Sequence, residues 1–155
     1  MEANSSASDQ AFLEALRRHR AELRESMSTL EDALAAPATA DQARWAQRVH
    51  VALVELSGDF REHIDLTEGP NGLYRDLFKT SPRLSDAIAG LTREHAQISG
   101  QVDSLVAHAT APDVNEDVDG VRELGTGLLG RLVRHRQRGS DLVFEAYQFD
   151  IGGET

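Results

Sequence analysis

The 155 residues predict an all-α protein, an up-down-up-down four-helix bundle. Three observations carry that prediction. Four long segments repeat apolar residues at alternating three- and four-residue intervals, the period of one helix face. Pro and Gly signals separate these segments by short connections, which makes successive helices antiparallel neighbours. No stretch alternates apolar and polar residues as a strand would. Aromatics make up only 5% of the chain, so the apolar load falls on Leu, Ala and Val, a mix that suits helices better than sheets.

The first segment runs from Ser8 or Asp9, which can cap it, to Ala35, with Pro37 just beyond. Its stripe is Phe12, Leu16, His19, Leu23, Met27, Leu30 and Leu34. The second starts at Asp41 as N-cap and runs to Glu68 on Trp45, Val49, Leu53, Leu56, Phe60, His63 and Thr67. Gly69-Pro70-Asn71-Gly72 breaks it, and Leu73 to Phe78 is expected to add a short helical turn that could carry the helix past the break. The third opens at Ser81-Pro82, an N-cap followed by Pro at the first helical position. Its stripe is Leu84, Ile88, Leu91, His95, Ile98, Val102 and Leu105, and Pro112 closes it. The fourth runs from Val114 or Val118 to Tyr147 on Val121, Leu124, Leu128, Leu132, His135, Gly139 and Leu142, and Gly152-Gly153 ends it. Residues 1–8 are expected to be a disordered N-terminus, 9–149 the bundle and 150–155 a tail.

The length fits one domain with a core of its own. A net charge of −10 repels phosphate backbones and argues against nucleic-acid binding. The absence of cysteine excludes disulfides, Fe–S clusters, thiolate zinc sites and cysteine nucleophiles. A bound metal would have to rest on His, carboxylate, Tyr or water, which favours iron, manganese or zinc over copper(I). The first ten residues have neither the basic start nor the apolar core of a signal peptide, and no run reaches the roughly 20 apolar residues of a membrane span. The expectation is a cytoplasmic protein without membrane or nucleic-acid partners.

Four of the six histidines, His19, His63, His95 and His135, fall one per segment on the apolar stripes. If a stripe takes about a third of a helix, chance places all four there about one time in a hundred. Their depths also match. His19 and His95 lie about 10 and 13 residues from the starts of their helices, and His135 about 12 from Tyr147. His63 lies about 15 from the end if the turn after Gly72 prolongs its helix, a spread of roughly 8 Å overall. A metal site between the four helices follows. His50 and His108 lie near the other end, off the stripes.

A two-metal centre also needs bridging carboxylates. Glu68, five residues after His63, and Asp141, six after His135, are the candidates. Each is followed six residues later by a tyrosine, Tyr74 or Tyr147, as a phenolate ligand or hydrogen-bond donor. Six residues turn Asp141 about 120° from His135 in an ideal helix, so a π-bulge at Gly139 would have to bring it round. Glu145 lies about 15 Å beyond His135. Glu62 and Glu94 directly precede histidines and are expected to face away from the ligands. Glu22, one turn after His19, is a possible extra ligand.

Arg61-Glu62-His63, Arg93-Glu94-His95 and Arg134-His135, with His19 ahead of them, resemble the haemerythrin-like family, the HHE cation-binding domains, from His19 to Tyr147. The resemblance implies a haemerythrin-like bundle with His19, His63, His95 and His135 as terminal ligands and Glu68 and Asp141 as bridges. It also implies two iron ions with an oxo or hydroxo bridge, and dioxygen, nitric oxide or peroxide as the ligand, with a peroxide-decomposing, catalase- or peroxidase-like activity among the family's roles. The chain departs from the family where Thr67 and Gly139 follow their histidines by four, and where Ser99 stands in place of an oxygen carrier's second histidine. A poorer imidazole set leaves open positions, which favour reaction with peroxide or nitric oxide over oxygen storage. No Glu-x-x-His occurs, which removes the ferritin-like alternative. No His-Glu-x-x-His supports a zinc hydrolase. The competing reading is a metal-free or weakly metal-binding helical interaction module with pH-sensitive core histidines.

Overall fold

A computed structural model describes the backbone of residues 2–111 and 117–150, and the side chains of 10–111 and 117–146. Its elements are α1 (Glu2–Ala35), α2 (Gln42–Glu68), α3 (Leu73–Thr80), a 3-10 turn (Pro82–Leu84), α4 (Ser85–Ala109) and α5 (Val118–Asp150). The described residues contain no strand. Contacts run from α1 to α2, to α4, to α5 and back to α1, a closed ring of four helices. The six residues joining α1 to α2 reach at most about 20 Å against the roughly 40 Å length of α2, so the two run antiparallel.

Asp41 caps α2 as expected, its Oδ1 accepting the Arg44 N–H at 3.0 Å. Three boundaries differ from the sequence reading. The helix of α1 begins at Glu2, ahead of Asp9, whose side chain lies outside the described residues. Ser81 does not cap α4 with its side chain; Pro82 opens a 3-10 turn instead, and α4 starts at Ser85. The segment after Gly72 does not prolong α2 but forms the separate helix α3. Pro112, Val114, the side chain of Tyr147 and residues 151–155, most of the expected tail, lie outside the described residues.

The break before α3 is tight. A Cβ at Gly69 would lie 2.4 Å from the Asp65 carbonyl oxygen, and one at Gly72 2.6 Å from that of Thr67. Only glycine lets the backbone approach itself that closely. The turn lays α3 against α2, α4 and α5, over one end of the ring.

Two apolar clusters result. The larger fills the ring from Leu23, Leu30, Leu53, Leu56 and Phe60 to Ile98, Val102, Leu128 and Leu132. At its outer end Arg122 of α5 donates to the carbonyls of Leu34 (2.9 Å) and Ala36 (2.8 Å) and lies over the Trp45 ring. These contacts supply donors to carbonyls at the end of α1 that have no intrahelical partner. The smaller cluster, Tyr74, Leu77, Leu84, Leu91, Leu142 and Ala146, lies under α3. Between the two clusters the four helices bring in the stripe histidines.

Candidate metal centre

Helical periodicity carries His63, His95 and His135 from α2, α4 and α5 into one layer. Phe60, one turn before His63, contacts all three rings. The ring centroids of His63 and His95 are 4.9 Å apart, those of His95 and His135 4.7 Å, and those of His63 and His135 5.4 Å. One donor nitrogen from each lies within 4.8 Å of the others.

The tautomers follow from the outer partners. His95 Nδ1 donates to Glu68 Oε2 at 2.6 Å, and His135 Nδ1 donates to Glu94 Oε1 at 2.7 Å. With Nδ1 protonated, each ring presents Nε2 as a lone pair. His135 Nε2 lies 3.3 Å from His63 Nε2, and His95 Nε2 lies 3.4 Å from the Tyr74 hydroxyl. Two ligands about 2.05 Å from one tetrahedral cation are separated by about 3.3 Å, so these spacings suit a shared metal.

Burial is the first cause that pulls all three imidazoles below their ordinary value. His63 is lowered to about 2, helped by His95, His135, His19 and Arg20. His95 is lowered by burial against the opposing pull of Glu68 and Glu94. His135 is lowered by burial and by His95, again against Glu94. Neutral rings at physiological pH are what a cation requires. Burial also raises the Tyr74 phenol above its ordinary range, with Glu68 and Glu94 adding to the effect.

His19 reaches the same layer from α1 and stacks on His63 at 5.6 Å. It is 2% exposed, and neither ring nitrogen has a hydrogen-bond partner. Its Nδ1 stands 3.7 Å from Glu62 Oε2, beyond hydrogen-bond reach, and Glu22 completes a second group of donors within 4.8 Å of one another.

The two expected bridges lie elsewhere. Glu68 is on the outer nitrogen of His95 rather than between two sets of donors. Asp141 is exposed and accepts from Gln137 on its own helix. The helix is α-helical straight through Gly139, so no bulge rotates Asp141 inward. Glu145, also exposed, pairs with Arg83. Glu94, expected to face away, is instead the buried partner of His135 and also takes Arg138 on Oε2. A signal for it stands in the sequence. Arg-Glu-His occurs on both α2 and α4, and in each copy the glutamate, about 100° round from its own histidine, faces the histidine of a neighbouring helix, His19 of α1 for Glu62 and His135 of α5 for Glu94.

A cavity of about 130 Å³ opens beside this layer between α1 and α5, with His19, His63, Tyr74 and His135 among its lining. No family model, curated protein or solved structure matches the chain.

Proposed function

We propose that this bundle is a non-haem iron protein of haemerythrin-like type that binds or reacts with dioxygen, nitric oxide or peroxide. The observation that carries the proposal is the convergence of His63, His95 and His135 with glutamates on the outer nitrogens of two of them. Such outer partners orient metal-binding imidazoles and raise their basicity. The first cation would rest on these three Nε2 atoms, with Tyr74 at a further position. The second cation that the family resemblance implies would rest on His19, Glu22 and Glu62, because Glu68 and Asp141 are not placed to bridge. Iron at such a centre supplies an open coordination position and a redox couple for a small oxygen- or nitrogen-containing ligand. The chain's own part is to hold the rings neutral and oriented, and to wall them off with Leu16, Leu23 and Phe60.

The test is anaerobic reconstitution with ferrous iron, followed by metal analysis and an ultraviolet–visible spectrum in air. Two irons per chain with an oxo-to-iron absorption are expected. His95→Ala should lose metal where His50→Ala does not. Less than about one iron per chain, or equal losses in the two variants, would sink the reading. The metal-free module makes the opposite forecast, a thermal midpoint indifferent to chelators.

A further inference from the structure

The chain carries 26 acidic and 16 basic residues, yet eight of those basic residues fall in two stretches, 17–24 on α1 and 131–138 on α5. Both stretches lie at the histidine layer. Arg20 and Arg136 line the cavity that opens between these helices. Arg20 is exposed and Arg136 half-buried.

Some other arginines have partners, while exposed ones such as Arg17, Arg18 and Arg48 have none among the described residues. Arg138 takes Glu94, Arg122 takes two carbonyls, and Arg131 takes Gln97 and Gln101. Arg20, Arg24 and Arg136 have neither a hydrogen bond nor an ion pair among the described residues, in a protein with acids to spare. Arg20 and Arg136 share one cavity, and Arg24 follows Arg20 by about one turn of α1. Like charges gathered without counter-charge cost free energy, and a bound anion would offset that cost.

The remaining lining fits a small anion. Leu16, Leu23 and Leu73 give low-dielectric walls, against which the arginine field is screened less than in water. Ser140 offers a hydroxyl donor. No carboxylate lines the cavity. At about 30 Å³ per water-sized group, its volume holds at least about four non-hydrogen atoms.

We propose that this cavity is a binding site for a small anion of the size of azide, nitrite or formate, held by Arg20 and Arg136 beside the metal on His63 and His135. The site rests on the metal reading above and narrows its ligand to a charged class. The arginines draw the anion in and orient it, and a cation held by the histidines would supply a Lewis-acidic partner for it.

The experiment uses the full chain loaded with cobalt(II), a visible reporter of coordination. Metal analysis comes first, and wild-type protein that takes up no cobalt overturns the metal reading and the anion site with it. Azide is then titrated against the cobalt spectrum. Arg20→Gln and Arg136→Gln should each weaken azide about tenfold and the pair about a hundredfold, with cobalt content unchanged. Arg136→Lys should recover part of the loss, and raised ionic strength should weaken wild-type binding. Nitric oxide, a neutral ligand, added to the ferrous protein should keep its affinity within about twofold in both glutamine variants. Azide affinity unchanged in those variants overturns the site. Equal losses of azide and nitric oxide also overturn it, since they would mean that the arginines act only through packing. If a glutamine variant fails to fold, the lysine variants and the salt dependence decide: no salt effect on azide binding rejects the proposal.

Discussion

The bundle buries two layers by opposite means. From Leu30 through Leu53 and Leu56 to Leu128, the ring is filled by aliphatic side chains that need nothing beyond one another. A short way along the same four helices, the core positions are imidazoles, with Glu94 and Glu68 behind two of them and nothing at all on the nitrogens of His19. The first layer is complete as folded. The second is complete only if something accepts the electron pairs that it turns inward, because unpaired buried polar groups cost free energy. Aliphatic packing and the proposed metal site therefore occupy different levels of one core, and each level should respond to a different perturbation.

The largest effect belongs to the apolar layer. Leu53→Ala should cost about 3–5 kcal/mol in urea unfolding, by the same amount with and without metal, because Leu53 is wholly buried away from the histidines. A cost that depends on metal would erase the distinction between the layers.

Chelation should act on the other layer. Stripping metal present at about a hundred times its dissociation constant should remove about 2.7 kcal/mol and lower the thermal midpoint by about 8 °C. His63→Ala should abolish that difference.

The glutamates behind the rings come next. Glu94→Gln should weaken metal about 10–100-fold, and more than Glu68→Gln, because Glu94 is 9% exposed and Glu68 28%. The reverse ranking, read by competition with a metal indicator, would show that Glu68 is itself a ligand.

Acid should then separate the layers in metal-free protein. Above pH 6.5 neither the folded nor the unfolded chain holds protons on the depressed rings, so stability is flat. Below it the unfolded chain takes up protons that the folded chain refuses. Stability therefore falls as pH drops, by about 1.4 kcal/mol per pH unit for each ring held fully neutral. His63, lowered to about 2, stays on that slope throughout the accessible range. Unfolding curves that coincide at pH 7 and pH 5 would show that burial does not hold the rings neutral. The smallest effect is Asp141→Asn, which should leave stability within about 0.5 kcal/mol and metal content unchanged.

What could be read in advance follows the range of each interaction. The four helices and the stripe positions of the histidines come from a three-to-four-residue period, and a period is local. Asp141 illustrates the same rule from the other side. Six residues point it away from His135, and only a defect at Gly139, which the helix does not have, could have altered that. Glu94 is only half legible: the repeated Arg-Glu-His marks it, but its role depends on a neighbour. Turned away from the ligand face of α4, it faces α5, and nothing local says which helix stands there. The depth match assumed helices of comparable reach. Instead α2 ends five residues after His63, and α3 folds across the end of the ring that α2 leaves uncovered.

The glycine turn between α2 and α3 has a consequence for how this protein could be adjusted. Glu68 is the last residue before it and Tyr74 follows it closely, and the two bear on opposite nitrogens of the same ring, His95. The turn thus acts as a calliper whose jaws close on one imidazole. Opening it by a single methyl group would shift a proton acceptor and a phenol together. The temperament of the centre can therefore drift through a surface loop while every histidine stays in place.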